Sequence, residues 1–134
     1  MDNNFCCCNI AEEKTIMDIK KHLSMLCAND LHILLQVCHI YGVDMIDLLG
    51  TCRKRELVDA RKMASYYFRK LCKYSLSHIG AIIGVVPKDH TSILYYVDCF
   101  EHYMKHEEEA KSKFNLLTIS TNVGFTSLKY KPLN

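Results

Sequence analysis

The run Lys88-Asp89-His90-Thr91-Ser92 gathers a cation, a carboxylate, an imidazole and two hydroxyls, one of them carrying a methyl group, in consecutive positions. An Asp can accept from the amine of cytosine, a Thr methyl can rest on a thymine methyl, and His and Ser can donate or accept. Such a set is suited to reading base edges in a major groove, and a helix-turn-helix presents residues of this kind at the start of its second helix. The flanking sequence supplies that context. Ser75 to Gly84 reads as a short helix stopped by Gly84 and Pro87, since glycine relaxes the backbone while proline removes a donor and pushes its predecessor out of the α region. A longer helix then opens at Asp89, whose carboxylate can accept from the free N–H groups of Thr91 or Ser92 and sits at the positive end of the helix dipole. Ile93, Val97, Phe100 and Met104 recur on one face of that helix and are expected in the core. Taken alone, the polar run also fits an N-cap with polar neighbours in water.

A second group of residues lies upstream. Between Arg53 and Lys73 stand eight basic residues (Arg53, Lys54, Arg55, Arg61, Lys62, Arg69, Lys70, Lys73) against two acids (Glu56, Asp59), a local balance of +6 in a chain of net charge +2. Concentrating charge in this way points to one face for polyanions and a remainder left acidic. A helix from about Arg55 to Lys73 buries Leu57, Ala60, Ala64, Tyr67, Phe68 and Leu71, and is expected to leave Arg61, Lys62, Arg69, Lys70 and Lys73 largely outside that stripe. Arg53 and Lys54 precede it, where a basic residue can reach a phosphate or enter a minor groove.

Chain length and composition bound the remaining classes. With 134 residues, 49% hydrophobic and 24% charged, the sequence is that of one soluble domain with tails. Its longest apolar run, Ile79 to Val86, is far short of the ~20 residues that cross a bilayer. Met1 to Phe5 lacks the charged and apolar segments of a secretory signal. Eight cysteines without such a signal point to free thiols in a reducing, cytoplasmic compartment. Cys99, His102 and His106 share a helical face, yet zinc needs a fourth ligand and no second cluster offers one, so no metal is expected. No cofactor is expected either. None of the five glycines belongs to a Gly-x-x-x-x-Gly-Lys-Ser/Thr element, so no nucleotide site is expected.

Along the chain, Ile16, Ile19, Leu23 and Leu26 mark an amphipathic helix over about Ala11 to Cys27, able to pack on the domain or to pair with a protein partner or a second copy. Asn29-Asp30 offers an N-cap for a helix with an apolar stripe of Leu31, Leu34, Leu35 and Cys38. Val43 to Leu49 makes one or two turns closed by Gly50. The last helix is expected to run on from Met104 to Phe114 or Leu117. Thr118 to Asn134 loses helical periodicity and reads as a tail, with a weak strand around Gly124 to Tyr130.

Four stretches resemble one family in order and spacing. They are Val43-Asp44-Met45-Ile46-Asp47-Leu48-Leu49, Arg53-Lys54-Arg55-Glu56-Leu57-Val58-Asp59-Ala60-Arg61-Lys62-Met63-Ala64, Tyr74-Ser75-Leu76-Ser77-His78-Ile79-Gly80 and Lys88-Asp89-His90-Thr91-Ser92-Ile93-Leu94. The segment from Leu34 to Leu117 resembles the C-terminal DNA-binding domain of the bacterial replication initiator DnaA. The resemblance implies an all-α fold, a helix-turn-helix bundle of the Trp-repressor-like type, here with an extra N-terminal helix. The division expected is a flexible tail over 1–9, an amphipathic helix over 10–29, the DnaA-like domain over 30–117 and a C-terminal tail over 118–134. It implies base contacts by Lys88, Asp89, His90, Thr91 and Ser92 in the major groove and by Arg53 in the adjacent minor groove. Lys54, Arg61, Lys62, Arg69, Leu76 and Ser77 are expected at the phosphate backbone, the last two at a helix start where free N–H groups attract anions.

The sequence departs from the family at the turn, where Val85-Val86-Pro87-Lys88 is two residues longer than usual, and at Lys88, where an Arg is usual. The expected function is that of a stand-alone, sequence-specific double-stranded DNA-binding protein, nucleoid-associated, regulating replication initiation or transcription without the initiator's ATPase region. The alternative is a protein-interaction module that keeps the fold without reading DNA. An enzyme is not expected, because no nucleophile and base are paired by spacing.

Overall fold

The computed structural model describes the backbone of residues 12–125 and the side chains of 17–121. The tail expected over 1–9 and most of the strand suggested around 124–130 lie outside the described residues. Within them the chain is all helical: α1 (Glu12–Met25), α2 (Ala28–Tyr41), α3 (Met45–Leu49), α4 (Arg55–Lys70), α5 (Leu76–Ile83), α6 (His90–His106) and α7 (Glu108–Phe125). α4 is the central element. It packs on α2, α3, α5 and α6, and its buried stripe of Leu57, Ala60, Ala64, Tyr67 and Phe68 lies with Ile79, Ile83, Ile93, Val97 and Phe100 in one core. That burial is the main source of stability, since apolar surface withdrawn from water contributes about 25 cal/mol per Å².

Four expectations change. α2 starts at Ala28 with Cys27 at the cap position, and Asp30 is buried, accepting a 2.7 Å hydrogen bond from Tyr74 Oη. Its buried face is Ile33, Leu34, Val37 and Cys38, while Leu35 is 49% exposed. α2 is apolar nearly all round, so its periodicity could not set its rotation. Leu71 is exposed as well, because α4 ends at Lys70 rather than Lys73. Gly42 closes α2 at φ +67, donating to Cys38 O and His39 O, a left-handed conformation that costs glycine least.

The fourth change is at the carboxyl end. Glu107 adopts an extended conformation after α6, and α7 turns back to pack on α2 and α6 as a separate helix reaching Phe125. The helix therefore extends past 117, where a tail was expected. Ala110, Phe114, Leu117 and Thr121 line its inner face, and Thr121 Oγ1 lies 2.6 Å from Tyr67 Oη in a buried hydrogen bond. A stripe that ends on a threonine leaves no apolar periodicity to read beyond Leu117. Lys113 pairs with Glu109 at 3.1 Å and lies 4.3 Å from the centre of the Tyr41 ring on α2.

Candidate nucleic-acid interface

The short helix α5 starts at Ser75, whose hydroxyl accepts from His78 N–H and satisfies one of the free donors of the first turn. Leu76 is half-buried and Ser77 exposed at that start. The long turn to α6 is pinned at both ends. Val85 N–H donates to Leu49 O and Lys88 N–H donates to Gly80 O, both at 3.1 Å. The second bond depends on Gly80, because a Cβ there would stand 2.2 Å from Lys88 O. The two additional residues are thus folded against α5 and the end of α3.

Asp89 occupies the cap position of α6 in extended backbone. Its carboxylate takes the Thr91 hydroxyl instead of the backbone N–H expected of a cap, and His90 Nδ1 lies 3.4 Å from it. The hydrogen bond from Thr91 holds the Asp89 carboxyl below its ordinary range, aided by the nearby His90. Asp89, His90, Thr91 and Ser92 are all exposed, while Ile93 behind them is buried. A preassembled acceptor, donor and methyl therefore face outward at the amino end of α6.

Beside it lies a cleft of about 620 Å³, lined in part by Arg53, Lys88 and Ser92. The cleft brings together three of the residues expected to touch bases. Burial pushes the Lys88 ammonium below its ordinary value, and the charges of Arg61 and Arg53 push it further. Crowded cations of this kind favour an incoming anion. Lys54 and Arg69 are exposed, and Arg69 Nη1 donates to Tyr74 O at 3.0 Å.

Arg61 and Lys62 do not fit the surface role expected of them. Arg61 is 2% exposed. Its Nε donates to Leu48 O at 2.8 Å, its Nη1 to Cys52 O at 2.7 Å, and its Nη2 to Asp47 O at 2.8 Å and Gly50 O at 3.2 Å. These include the last carbonyls of α3, which have no partner within their own helix. The guanidinium thus clamps α3 and the loop that carries Arg53. Lys62 is 8% exposed, with its Nζ donating to Tyr103 Oη at 3.0 Å and lying 5.1 Å from the centre of that ring. Burial works against the Lys62 charge, but the Tyr103 contact outweighs it and the ammonium is held above its ordinary value.

Tyr96, Val86, Thr51 and, from α1, Asp18 and Ile19 also line the cleft, and none was singled out from the sequence as a site residue. Tyr96 follows Ser92 by one helical turn, so extending the reading face along α6 would have found it. The others meet only through tertiary packing.

A short helix, a pinned turn and a longer helix with an exposed polar start beside convergent cations define a DNA-binding helix-turn-helix protein. The chain belongs to the bacterial DnaA helix-turn-helix family, whose model, described as "Bacterial dnaA protein helix-turn-helix", matches residues 31–98. Membership supports DNA binding, and the domain it defines is not a catalytic one. The chain is 37% identical over 84 residues to the chromosomal replication initiator protein DnaA 2 of Chlamydia pneumoniae, covering 63% of this chain and 18% of the relative. It is 31% identical over 90 residues to the chromosomal replication initiator protein DnaA of Thermus thermophilus, covering 67% of this chain and 20% of the relative. Over a shorter 59 residues it is 42% identical to the initiator DnaA of a Synechococcus species, covering 44% of this chain and 12% of that protein. The chain thus spans a fifth or less of the length of these curated relatives. No solved structure matches it. Among the described residues no helix is long and apolar enough to cross a membrane.

Proposed function

We propose that this protein binds a short double-stranded DNA site in a sequence-specific manner and thereby regulates replication initiation or transcription. The observation that carries the reading is the exposed Asp89–Ser92 end of α6 standing next to a cleft that Arg53 and Lys88 make cationic. Asp89, His90, Thr91 and Ser92 read base edges in the major groove, and Arg53 reaches into the minor groove alongside. Lys54 and Arg69, with the amino end of α5 at Leu76 and Ser77, hold the phosphates, and Lys88, expected at a base, is half-buried in the cleft and serves the phosphate strand there instead. Arg61 and Lys62 are spent inside the domain and drop out of this set.

Selecting bound duplexes from a random pool, followed by a salt titration on the enriched sequence, tests the reading. Three or four cationic contacts give a log–log salt slope of roughly −3 to −4. His90→Ala or Thr91→Ala relaxes preference at the contacted positions, where a good contact is worth about 1–3 kcal/mol of discrimination. Failure to enrich any duplex, or binding indifferent to salt, overturns it. A second reading, a protein-interaction module, draws on Met17 and Met25, both more than two-thirds exposed on α1. That reading predicts self-association or partner capture with no duplex shift.

A further inference from the structure

We propose that α1, which lies outside the family-matched residues 31–98, forms a wall of the DNA-binding cleft, with Asp18 set beside the sugar–phosphate strand. The inference rests on the duplex-reading function above. If Arg53 enters the minor groove and Asp89–Ser92 face the adjacent major groove, the strand separating the two grooves must pass between them. What lies between them is the 620 Å³ cleft, with Arg53 on the loop after α3, Lys88 on the turn, Ser92 on α6 and Asp18 on α1.

α1 packs on α3, and its contacts to the core and to α5 fix where it lies. Ile19 is 2% exposed, within the common core. His22 Nε2 is in a 2.9 Å hydrogen bond with Ile82 O, a carbonyl in the last turn of α5 that has no partner within its helix. Asp18 precedes His22 by four residues and so shares its helical face. The face that holds α1 on α5 therefore also holds a carboxylate at the cleft.

The charge has a definite consequence. Arg53 and Lys88 attract a phosphodiester, and among the described residues neither makes an ion pair. Asp18 repels the same strand, so α1 holds affinity for any duplex below what the cations alone would give. One unit charge within a Debye length of a phosphate changes binding by roughly twofold to fivefold at moderate salt.

The test uses the full chain, with the duplex that the wild type selects. Asp18→Asn and Asp18→Lys alter an exposed side chain, and helicity by circular dichroism checks that each remains folded. Asp18→Asn is expected to tighten binding roughly twofold to fivefold, and Asp18→Lys to tighten it again and steepen the salt slope by about 0.9, the value for one more neutralised phosphate. Glu108→Lys, on α7 and away from the cleft lining, makes the same change in net charge and is expected to tighten binding less. Replacing single phosphates by uncharged methylphosphonates locates the contact, since at one or two positions the loss is larger for Asp18→Lys than for the wild type. If Asp18→Lys and Glu108→Lys behave alike and no phosphate distinguishes the Asp18 variants, α1 is not part of the interface. Such a result leaves the reading helix intact as a proposal, whereas a wild type that enriches no duplex overturns both.

Discussion

Arg61→Met keeps a stem of similar length and removes the guanidinium that four carbonyls share. The four hydrogen bonds, 2.7 to 3.2 Å long, cannot simply be summed, because the arginine itself has been taken out of water to make them. The better measure is what the variant leaves behind. Leu48 and Cys52 are buried, so the loss of the Arg61 bond to each of their carbonyls costs about 1–3 kcal/mol. Asp47 and Gly50 are half-buried, and water can reach their carbonyls. A loss of about 4 kcal/mol follows, a large part of the ~5–15 kcal/mol that holds an ordinary domain together. At roughly 4 °C per kcal/mol for a domain of this size the melting temperature falls by about 15 °C. Urea unfolding followed at 222 nm measures it. Arg61→Lys recovers less than half, since a single ammonium cannot replace a planar fork aimed at several acceptors. A surface phosphate contact would behave differently: stability would stay within about 0.5 kcal/mol of the wild type and the salt slope of DNA binding would flatten by about 0.9. That pair of results would refute the clamp.

Two other outcomes follow from the packing. Gly80→Ala raises helix propensity by about 1 kcal/mol, but the new Cβ meets the Lys88 carbonyl at 2.2 Å, a backbone contact that no rotamer change relieves. With overpacking at about 1–3 kcal/mol and the Lys88 to Gly80 bond strained, the variant is expected to be less stable by roughly 1–2 kcal/mol and weaker on DNA; an unchanged urea midpoint would show that the turn moves freely. Burial raises the phenols of Tyr41, Tyr66, Tyr67 and Tyr74, and at Tyr74 the bond to Asp30 adds to it. The unfolded chain loses these protons near pH 10 while the folded chain retains them, so stability is full below about pH 10 and falls as pH rises through and beyond it. Urea midpoints between pH 8 and 11 check the sign, and Tyr74→Phe, which leaves buried Asp30 without that donor, lowers stability already at pH 7 by about 1–3 kcal/mol.

Much of the candidate interface was legible in the residues themselves. Gly84 and Pro87 end one helix before the next begins, Ile93, Val97 and Phe100 repeat on the face that is buried, and the polar residues from Asp89 to Ser92 are left outside by the same repeat. These are local matters, decided by backbone sterics and by a helical period that every side chain on the element shares. The four family stretches added order and spacing, and with them the DnaA helix-turn-helix class.

The destination of the long cationic side chains was not local. Arg61 and Arg69 sit on the same helix and look alike in sequence, but Arg61 stands opposite the open end of α3 and the loop after it, whose carbonyls lie 9 to 14 residues away along the chain. A guanidinium bonds to unsatisfied carbonyls as readily as to phosphates, so its role depends on which acceptors the packing brings within reach. Asp18 is the converse case, a helix-surface acid by pattern that docking of α1 carries to the cleft. From its sequence alone this protein has its helices, its turn and the chemistry at the start of α6. Only the packing of α1, α3 and α4 decided which charges remain for DNA, because periodicity defines the face a residue occupies and tertiary contact defines what that face meets.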